Sequence, residues 1–140
     1  MSAVPATVLS AEDEETDAFM LRVAFEKAGV TNPLTILSDG QEIVDYLTGV
    51  PPYINRAAHP LPALLTLDLK MPRMNGFDVL SWLRGRPEFL SLPAVVISSS
   101  SDEDDIAKAR QLGAQDYFVK PHRLDDFVAI VRRLRDRWLK

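Results

Sequence analysis

Short apolar segments alternate with amphipathic segments along the whole chain. Two of the apolar segments, ALLTLDL at 63–69 and PAVVISS at 93–99, contain few polar residues, as expected of strands that are covered on both faces. Three further segments, at 7–12, 34–38 and 116–120, have the length and apolar character of shorter strands. The pattern therefore predicts five strands.

Apolar residues recur at helical spacing in the segments between and after these strands. The five predicted helices run from Phe19 to Gly29, over 39–49, over 77–85, from Ile106 to Gly113, and over 124–140. Strict alternation of strands and helices is typical of an α/β fold, a parallel sheet with helices on both faces. With right-handed crossovers, five such units fit a doubly wound sheet with the strand order 2-1-3-4-5.

One segment, residues 50–62, does not fit the alternation. It reads VPPYINRAAHPLP, has no clear periodicity, and is predicted to be a long loop between the second helix and the third strand. Loops of this length are uncommon and are often functional. A tolerated insertion explains the segment equally well, and the sequence leaves both interpretations open.

The composition restricts the classes of function. With 140 residues the chain is predicted to be one domain, and it has no cysteine for disulfides or thiolate metal sites. The net charge of −4 argues against nucleic-acid binding. No apolar run is long enough to span a membrane, and the N-terminus does not resemble a secretory signal, so a cytoplasmic protein is expected. One basic cluster near the C-terminus is interpreted as a solvated helix face, with a partner contact as the alternative: Arg132, Arg133, Arg135, Arg137 and Lys140.

Polar residues stand at the carboxyl ends of four predicted strands. Glu12 and Asp13 end the first strand, Asp68 the third, Ser98 the fourth and Lys120 the fifth. Ligands of doubly wound sheets bind outside the carboxyl ends of the strands. The sequence therefore predicts one crevice that contains three carboxylates, a hydroxyl and an ammonium group.

These residue types suit phosphoryl transfer. Clustered carboxylates repel one another and favour a bound cation, and Mg²⁺ prefers such oxygen ligands. Asp68 is then expected to attack phosphorus and form an aspartyl phosphate, with Lys120 and Ser98 binding the phosphoryl oxygens. Each residue alone also has an ordinary explanation, such as a charge at a helix N-terminus or a loop cap, so the hypothesis depends on the combination.

Four motifs together resemble the receiver domains of two-component response regulators. They are AED at 11–13, TLDLKMPRMNG at 66–76, ISS at 97–99 and YFVKP at 117–121. The resemblance covers essentially the whole chain. It implies a flavodoxin-like, CheY-like fold and a single receiver domain over residues 1–140.

The resemblance also implies roles for the acidic residues. Asp68 would be the phosphoacceptor. Glu12, Asp13 and Asp68 would hold Mg²⁺ together with the backbone carbonyl of Lys70. No enzymatic activity is expected beyond the chain's own phosphorylation and dephosphorylation.

Further roles follow from the same resemblance. Ser98 would be the switch hydroxyl, Lys120 the phosphate-binding lysine, and Tyr117 the switch aromatic that turns inward when Ser98 moves. The peptide bond between Lys120 and Pro121 is expected to be cis. Gly76 would allow a tight bend in the loop after the third strand.

The expected output is protein association. The sequence ends at Lys140, so no DNA-binding or enzymatic output domain is expected, and the phosphoryl donor would be a sensor histidine kinase. In this family the usual signalling surface is formed by the fourth helix, the fifth strand and the fifth helix. On that surface we expect Tyr117, Phe118 and Phe127 beside the C-terminal arginines, and a homodimer is expected to form through it.

Two segments indicate a subclass. The loop at 50–62 and the sequence SSSSDEDDI at 98–106 are similar to the single-domain regulators of bacterial phytochrome histidine kinases. The expected kinase is therefore a bacteriophytochrome.

Several residues depart from the family pattern. Ser98 replaces the commoner Thr, His122 follows the Lys-Pro pair where an aromatic residue is frequent, and Ser10 with Ala11 is expected to loosen packing in the first strand. Lys70 stands where related phosphatases carry an acidic residue, which argues against such an enzyme.

Two alternative functions are a flavin or dinucleotide binder and a phosphotransfer intermediate or phosphate sink. A flavin or dinucleotide binder would need a glycine-rich first turn, and the segment AEDEETDAF has no glycine. A phosphotransfer intermediate or phosphate sink would use the same chemistry as a switch, so the sequence cannot separate those two functions.

Overall fold

A computed structural model describes residues 6–139. The strands are β1 (Thr7–Ala11), β2 (Leu34–Leu37), β3 (Pro62–Leu67), β4 (Ala94–Ser98) and β5 (Asp116–Val119). All neighbouring strands are parallel, and their order in the sheet is β2-β1-β3-β4-β5. The predicted doubly wound α/β fold is confirmed.

The helices are α1 (Glu15–Lys27), α2 (Gly40–Thr48), α3 (Gly76–Arg84), α4 (Glu103–Gln111) and α5 (Leu124–Trp138). A short 3₁₀ helix at Pro87–Phe89 was not predicted. Residues 1–5 and Lys140 lie outside the described residues. These residues include both ends of the predicted domain. They also include Lys140, which was predicted to end the fifth helix and to belong to the basic cluster.

Two apolar clusters cover the two faces of the sheet, because successive strand residues point to opposite sides. Val8, Leu64 and Val95 contact α1 and α5 on one side of the sheet. Their neighbours face the other helices in a second cluster, which includes Leu9, Leu65, Val96, Ile43, Val79 and Ala109. The double coverage explains the nearly continuous apolar character of β3 and β4.

Three predictions about apolar side chains are wrong. Phe19 is 68% exposed, because the buried face of α1 passes through Leu21 and Phe25, and two residues correspond to more than half a helical turn. Tyr117 and Phe127 are buried in the core instead of lying on the signalling surface. Tyr117 on β5 belongs to one of the two apolar clusters, and Phe127 on α5 belongs to the other.

Ser10 does not loosen β1. Its side chain is fully buried, and its Oγ lies 2.6 Å from Oγ1 of Thr66. The two residues are partners in the register of β1 and β3. The hydroxyl groups therefore satisfy each other inside the sheet.

The loop at 50–62 packs against the C-terminal end of α2. Arg56 donates hydrogen bonds of 2.7 Å to the carbonyl oxygens of both Tyr46 and Leu47. The hydroxyl of Tyr46 donates to the carbonyl oxygen of Pro60 over 2.8 Å. The segment is a loop, as predicted, and it supplies a cationic cap for α2.

Within residues 6–139 the structure contains no helix that combines the length and the apolar character needed to cross a membrane.

Candidate functional site

The predicted cluster of polar residues forms at the carboxyl edge of the sheet. Glu12 and Asp13 directly follow β1, and Asp68 directly follows β3. Each of these three carboxyl groups has an oxygen that lies within 4.8 Å of an oxygen of the other two. Nζ of Lys120, directly after β5, lies 2.6 Å from Oε1 of Glu12 and 2.6 Å from Oδ2 of Asp68. The topology therefore brings these four predicted residues together.

The pKa values of Glu12 and Lys120 are both raised, for different reasons. Glu12 is buried, and this burial raises the pKa of its carboxyl to about 7, although hydrogen bonds from Lys120 and from the backbone N–H of Glu14 lower it. Burial alone would lower the pKa of Lys120, but its hydrogen bonds to the carboxylates outweigh burial and raise that pKa above its ordinary value. Lys120 therefore remains a cation at any physiological pH.

Asp17 is a member of the site that the sequence reasoning missed. Its Oδ2 accepts a hydrogen bond of 2.8 Å from Nζ of Lys120. Asp17 lies in the first turn of α1, directly after the segment that holds Glu12 and Asp13. The available signal was its position four residues after Asp13, about one helical turn beyond the acidic pair.

The loop between β3 and α3 closes around Asp68. The backbone N–H of Lys70 donates to Oδ1 of Asp68 over 3.2 Å, and Lys70 lines the cleft together with Ser99. A Cβ atom on Gly76 would collide with the carbonyl oxygen of Asp68. The glycine is therefore needed for this close backbone approach, whereas a tight bend was the predicted reason for it.

A second contact fixes the same loop to α2 and was not predicted. Nε of Arg73 donates to Oδ2 of Asp39 over 2.8 Å, and Nη2 donates to Oδ1 over 3.2 Å. Arg73 has a φ of 62°, in the left-handed region. The carboxylate of Asp39 also accepts from the backbone N–H of Glu42 at the start of α2. Burial raises the pKa of Asp39, but the bonds from Arg73 and Glu42 outweigh burial and lower it.

The two predicted switch residues are linked through Ser100. Ser98 is fully buried at the end of β4, and its Oγ accepts a hydrogen bond from the backbone N–H of Ser100 over 3.2 Å. Tyr117 points inward, and its hydroxyl donates to the carbonyl oxygen of Ser100 over 2.7 Å. A movement of Ser98 would therefore change the position of Ser100, which binds the hydroxyl of Tyr117.

Two other features of the lysine motif are settled by the geometry. The bond between Lys120 and Pro121 is not cis, so that expectation is wrong; among residues 6–139 the cis peptide bond is Pro51–Pro52. His122 is exposed at the surface and lies outside the cluster.

The donor set fits a hard divalent cation. Glu12, Asp13 and Asp68 offer only carboxylate oxygens, which are the ligands that Mg²⁺ prefers. A softer metal would favour the imidazole or thiolate groups that this cluster lacks.

Residues 8–132 match the family model described as the response regulator receiver domain. Among curated proteins, the chain is 30% identical to the probable methanogenesis regulatory protein FilR2 of Methanothrix harundinacea, over 96% of this chain and 84% of that protein. It is 29% identical to the response regulator Rcp1 of Synechocystis, over 97% of this chain and 90% of that protein.

Solved structures of similar regulators share the fold. The response regulator RPA3017, from red-light signalling of R. palustris, superposes with a TM-score of 0.91 at 34% identity, covering 96% of this chain and 94% of that one. The phosphorylated cyanobacterial phytochrome response regulator RcpA gives 0.88 at 29% identity, with coverages of 97% and 95%. The Mn²⁺-bound form of Rcp1 gives 0.85 at 28% identity, with coverages of 97% and 96%.

Proposed function

Since the chain belongs to the response regulator receiver domain family of two-component systems, we propose that it is phosphorylated on Asp68 by a histidine kinase. The observation that carries the proposal is the contact between the buried Asp68 carboxylate and the Lys120 ammonium group, 2.6 Å apart beside two further acidic residues. An acidic nucleophile beside a fixed cation is suited to accept a group that carries negative charge.

In the proposed step, a carboxylate oxygen of Asp68 forms a bond to phosphorus. The bond from phosphorus to the imidazole nitrogen of the kinase histidine breaks, and the imidazole leaves with the bonding electron pair. Mg²⁺, held by Glu12, Asp13, Asp68 and the carbonyl of Lys70, would supply positive charge beside the phosphoryl oxygens. Lys120 would donate a hydrogen bond to one of those oxygens.

Ser98 and Tyr117 would convert phosphorylation into a surface change. The hydroxyl of Ser98 donates to a phosphoryl oxygen, which draws the start of the β4–α4 loop toward Asp68. Because Ser100 contacts both Ser98 and Tyr117, this movement biases the position of Tyr117. Signalling then occurs through association with another protein, and we propose no catalysis beyond the chain's own phosphorylation and dephosphorylation.

The similar structures support these assignments. RcpA has been seen in a phosphorylated form, and Rcp1 in a Mn²⁺-bound form. The carboxyl cluster here offers the same kind of acidic oxygen ligands.

The test is mass spectrometry after incubation with acetyl phosphate and Mg²⁺. We expect the mass of the chain to increase by one phosphoryl group, and we expect no increase when EDTA is present. Asp68→Asn should prevent the addition. Asp116→Asn, which replaces an aspartate outside the cleft, should leave it intact. Absence of the adduct in the native chain, with this donor and with a cognate-type kinase, would contradict the proposal.

The similar phytochrome regulators also suggest the kinase. RPA3017 is described in red-light signalling and RcpA as a phytochrome response regulator. We propose that a bacteriophytochrome kinase phosphorylates this chain. Phosphotransfer from purified bacteriophytochrome kinases should be faster than from unrelated sensor kinases, and equal rates would argue against this partner.

A homodimer is proposed on the surface formed by α4, β5 and α5. Asp116 on β5 lies 3.9 Å from Arg110 of α4 and 3.6 Å from Arg137 of α5, so charged groups bridge the three elements. β5 is an edge strand, and Val119 on it is 43% exposed. An apolar centre with a charged rim is the usual composition of a protein interface.

A further inference from the structure

Lys120 has more acceptors than it can keep once Asp68 is phosphorylated. An ammonium group has three N–H donors. Nζ lies 2.6 Å from Glu12, 2.8 Å from Asp17 and 2.6 Å from Asp68. Nζ donates hydrogen bonds to Asp17 and Asp68 and forms an ion pair with Glu12, so a phosphoryl oxygen has to compete with these contacts for Lys120.

Phosphorylation converts Asp68 into an acyl phosphate, so Glu12 and Asp17 are the carboxylates that remain beside Lys120, and they differ in how costly the loss of its contact would be. The side chain of Asp17 is 32% exposed, whereas those of Glu12 and Asp68 are 7% and 6% exposed. A buried carboxylate that loses its donor pays the full cost of desolvation, while an exposed one is compensated by water. Asp17 also lies in the first turn of α1, where the helix dipole stabilises a released negative charge.

From this geometry we propose that Asp17 is a positioning residue that competes with the phosphoryl group for Lys120. The inference rests on the proposed phosphorylation of Asp68. Before phosphorylation, Asp17 holds the ammonium group in the cleft. Afterwards it is displaced by a phosphoryl oxygen. The free energy needed to break the contact between Asp17 and Lys120 then lowers the stability of the phosphorylated state.

The competition predicts a graded effect of substitutions at Asp17 on the binding of a phosphoryl mimic. The probe is beryllofluoride, titrated by calorimetry into the full chain at saturating Mg²⁺. Asp17→Asn removes the charge and should bind the mimic about fivefold more tightly, the upper end for a partly exposed ion pair. Asp17→Ala also removes the acceptor and should bind it at least as tightly as Asp17→Asn. Asp17→Glu restores a carboxylate and should return the affinity toward that of the native chain.

Two controls separate the contact from general electrostatics and from metal binding. Glu15→Gln removes one negative charge from the same helical turn at an exposed position, and it should change the affinity by less than about twofold. Mg²⁺ affinity without beryllofluoride should also change by less than about twofold in Asp17→Ala, because Asp17 lies outside the carboxyl cluster.

The outcomes distinguish this inference from the proposed function. If the native chain binds the mimic and Asp17→Ala binds it no more tightly than Glu15→Gln does, Asp17 does not compete and the inference is wrong. A large loss of Mg²⁺ affinity in Asp17→Ala would make Asp17 a metal ligand and would also overturn it. If the native chain binds no beryllofluoride at all, the proposed phosphorylation of Asp68 itself fails.

Discussion

At the scale of single residues, the backbone contact between Gly76 and Asp68 determines the shape of the loop between β3 and α3. A Cβ atom at Gly76 would meet the carbonyl oxygen of Asp68, whereas one at Gly85 would make only an ordinary contact of 3.6 Å. We expect Gly76→Ala to lower the free energy of unfolding by about 2 kcal/mol, measured by urea denaturation. Gly85→Ala should be neutral or slightly stabilising, and equal effects would contradict this explanation.

Asp39 should make the stability of the fold depend on pH. The pKa of its carboxyl lies below the ordinary value of 3.8 in the folded chain, so its stabilising contribution is present above that value and is lost as the pH falls through the folded pKa. Asp39→Asn should therefore be less stable than the native chain at pH 7, and this difference should shrink below about pH 4. Urea unfolding over a pH series measures it. The control is Asp136→Asn, whose partner Arg135 is its neighbour in sequence. A difference for Asp39→Asn that does not shrink as the pH falls below about 4 would contradict the prediction.

The buried hydroxyl pair of Ser10 and Thr66 predicts strong non-additivity. Ser10→Ala leaves the hydroxyl of Thr66 without its partner inside the sheet, and we expect a loss of about 1–3 kcal/mol in the free energy of unfolding. The double variant Ser10→Ala, Thr66→Val removes both polar groups and should recover most of that loss. A double variant whose loss equals the sum of the single losses would show that the pair is not coupled.

At the scale of elements, α2 depends on the loop at 50–62 for its C-terminal cap. Arg56 binds two carbonyl oxygens at the end of the helix, where a cation is also favoured by the helix dipole. Arg56→Ala should lower the free energy of unfolding by about 1–2 kcal/mol. Arg22→Ala, which removes a single exposed bond of 3.3 Å, is the control and should have a clearly smaller effect in the same denaturation experiment.

The elements also show how far the sequence could be read. Periodicity and strand order predicted the sheet, and the rule that ligands lie at strand ends predicted the meeting of Glu12, Asp68 and Lys120. These follow from local patterns and topology. Asp17 and Arg73 were missed because their contacts depend on the path of a loop or on the rotation of a helix, which no local pattern specifies.

The boundaries of elements show the same limit. The predicted first and fifth strands ended on Glu12 and Lys120, and the predicted third segment ran past Asp68 to Leu69. In the structure, β1, β3 and β5 end at the residue before Glu12, Asp68 and Lys120. The backbone N–H groups of Glu12, Asp68 and Lys120 still donate to carbonyl oxygens of the neighbouring strands, so the strand ends are gradual and an apolar pattern cannot locate the last strand residue. The exposed Phe19 is a similar case, since hydrophobicity alone does not identify the buried face of α1.

At the scale of the whole molecule, the proposed dimer predicts a concentration-dependent mass. A lysine at Val119 would put a charge on an exposed apolar position of the α4–β5–α5 surface. Val119→Lys should raise the dissociation constant of the dimer at least about tenfold, as measured by sedimentation over a concentration series with and without beryllofluoride. Thr31→Lys adds the same charge at an exposed position next to β2, the opposite edge of the sheet, and should leave the dimer intact. A native chain that stays monomeric in both conditions would contradict the dimer.

Helix α2 connects two distant segments of the chain through the contacts at its two ends. The helix is about 14 Å long. Arg73, in the loop between β3 and α3, binds Asp39 at its N-terminal end, and Arg56 binds carbonyl oxygens at its C-terminal end. Lengthening or shortening the loop at 50–62, which carries Arg56, would shift α2 and with it the loop between β3 and α3, without altering a residue of the cleft. The geometry around Asp68 is therefore coupled to a segment that contributes no residue to the cleft.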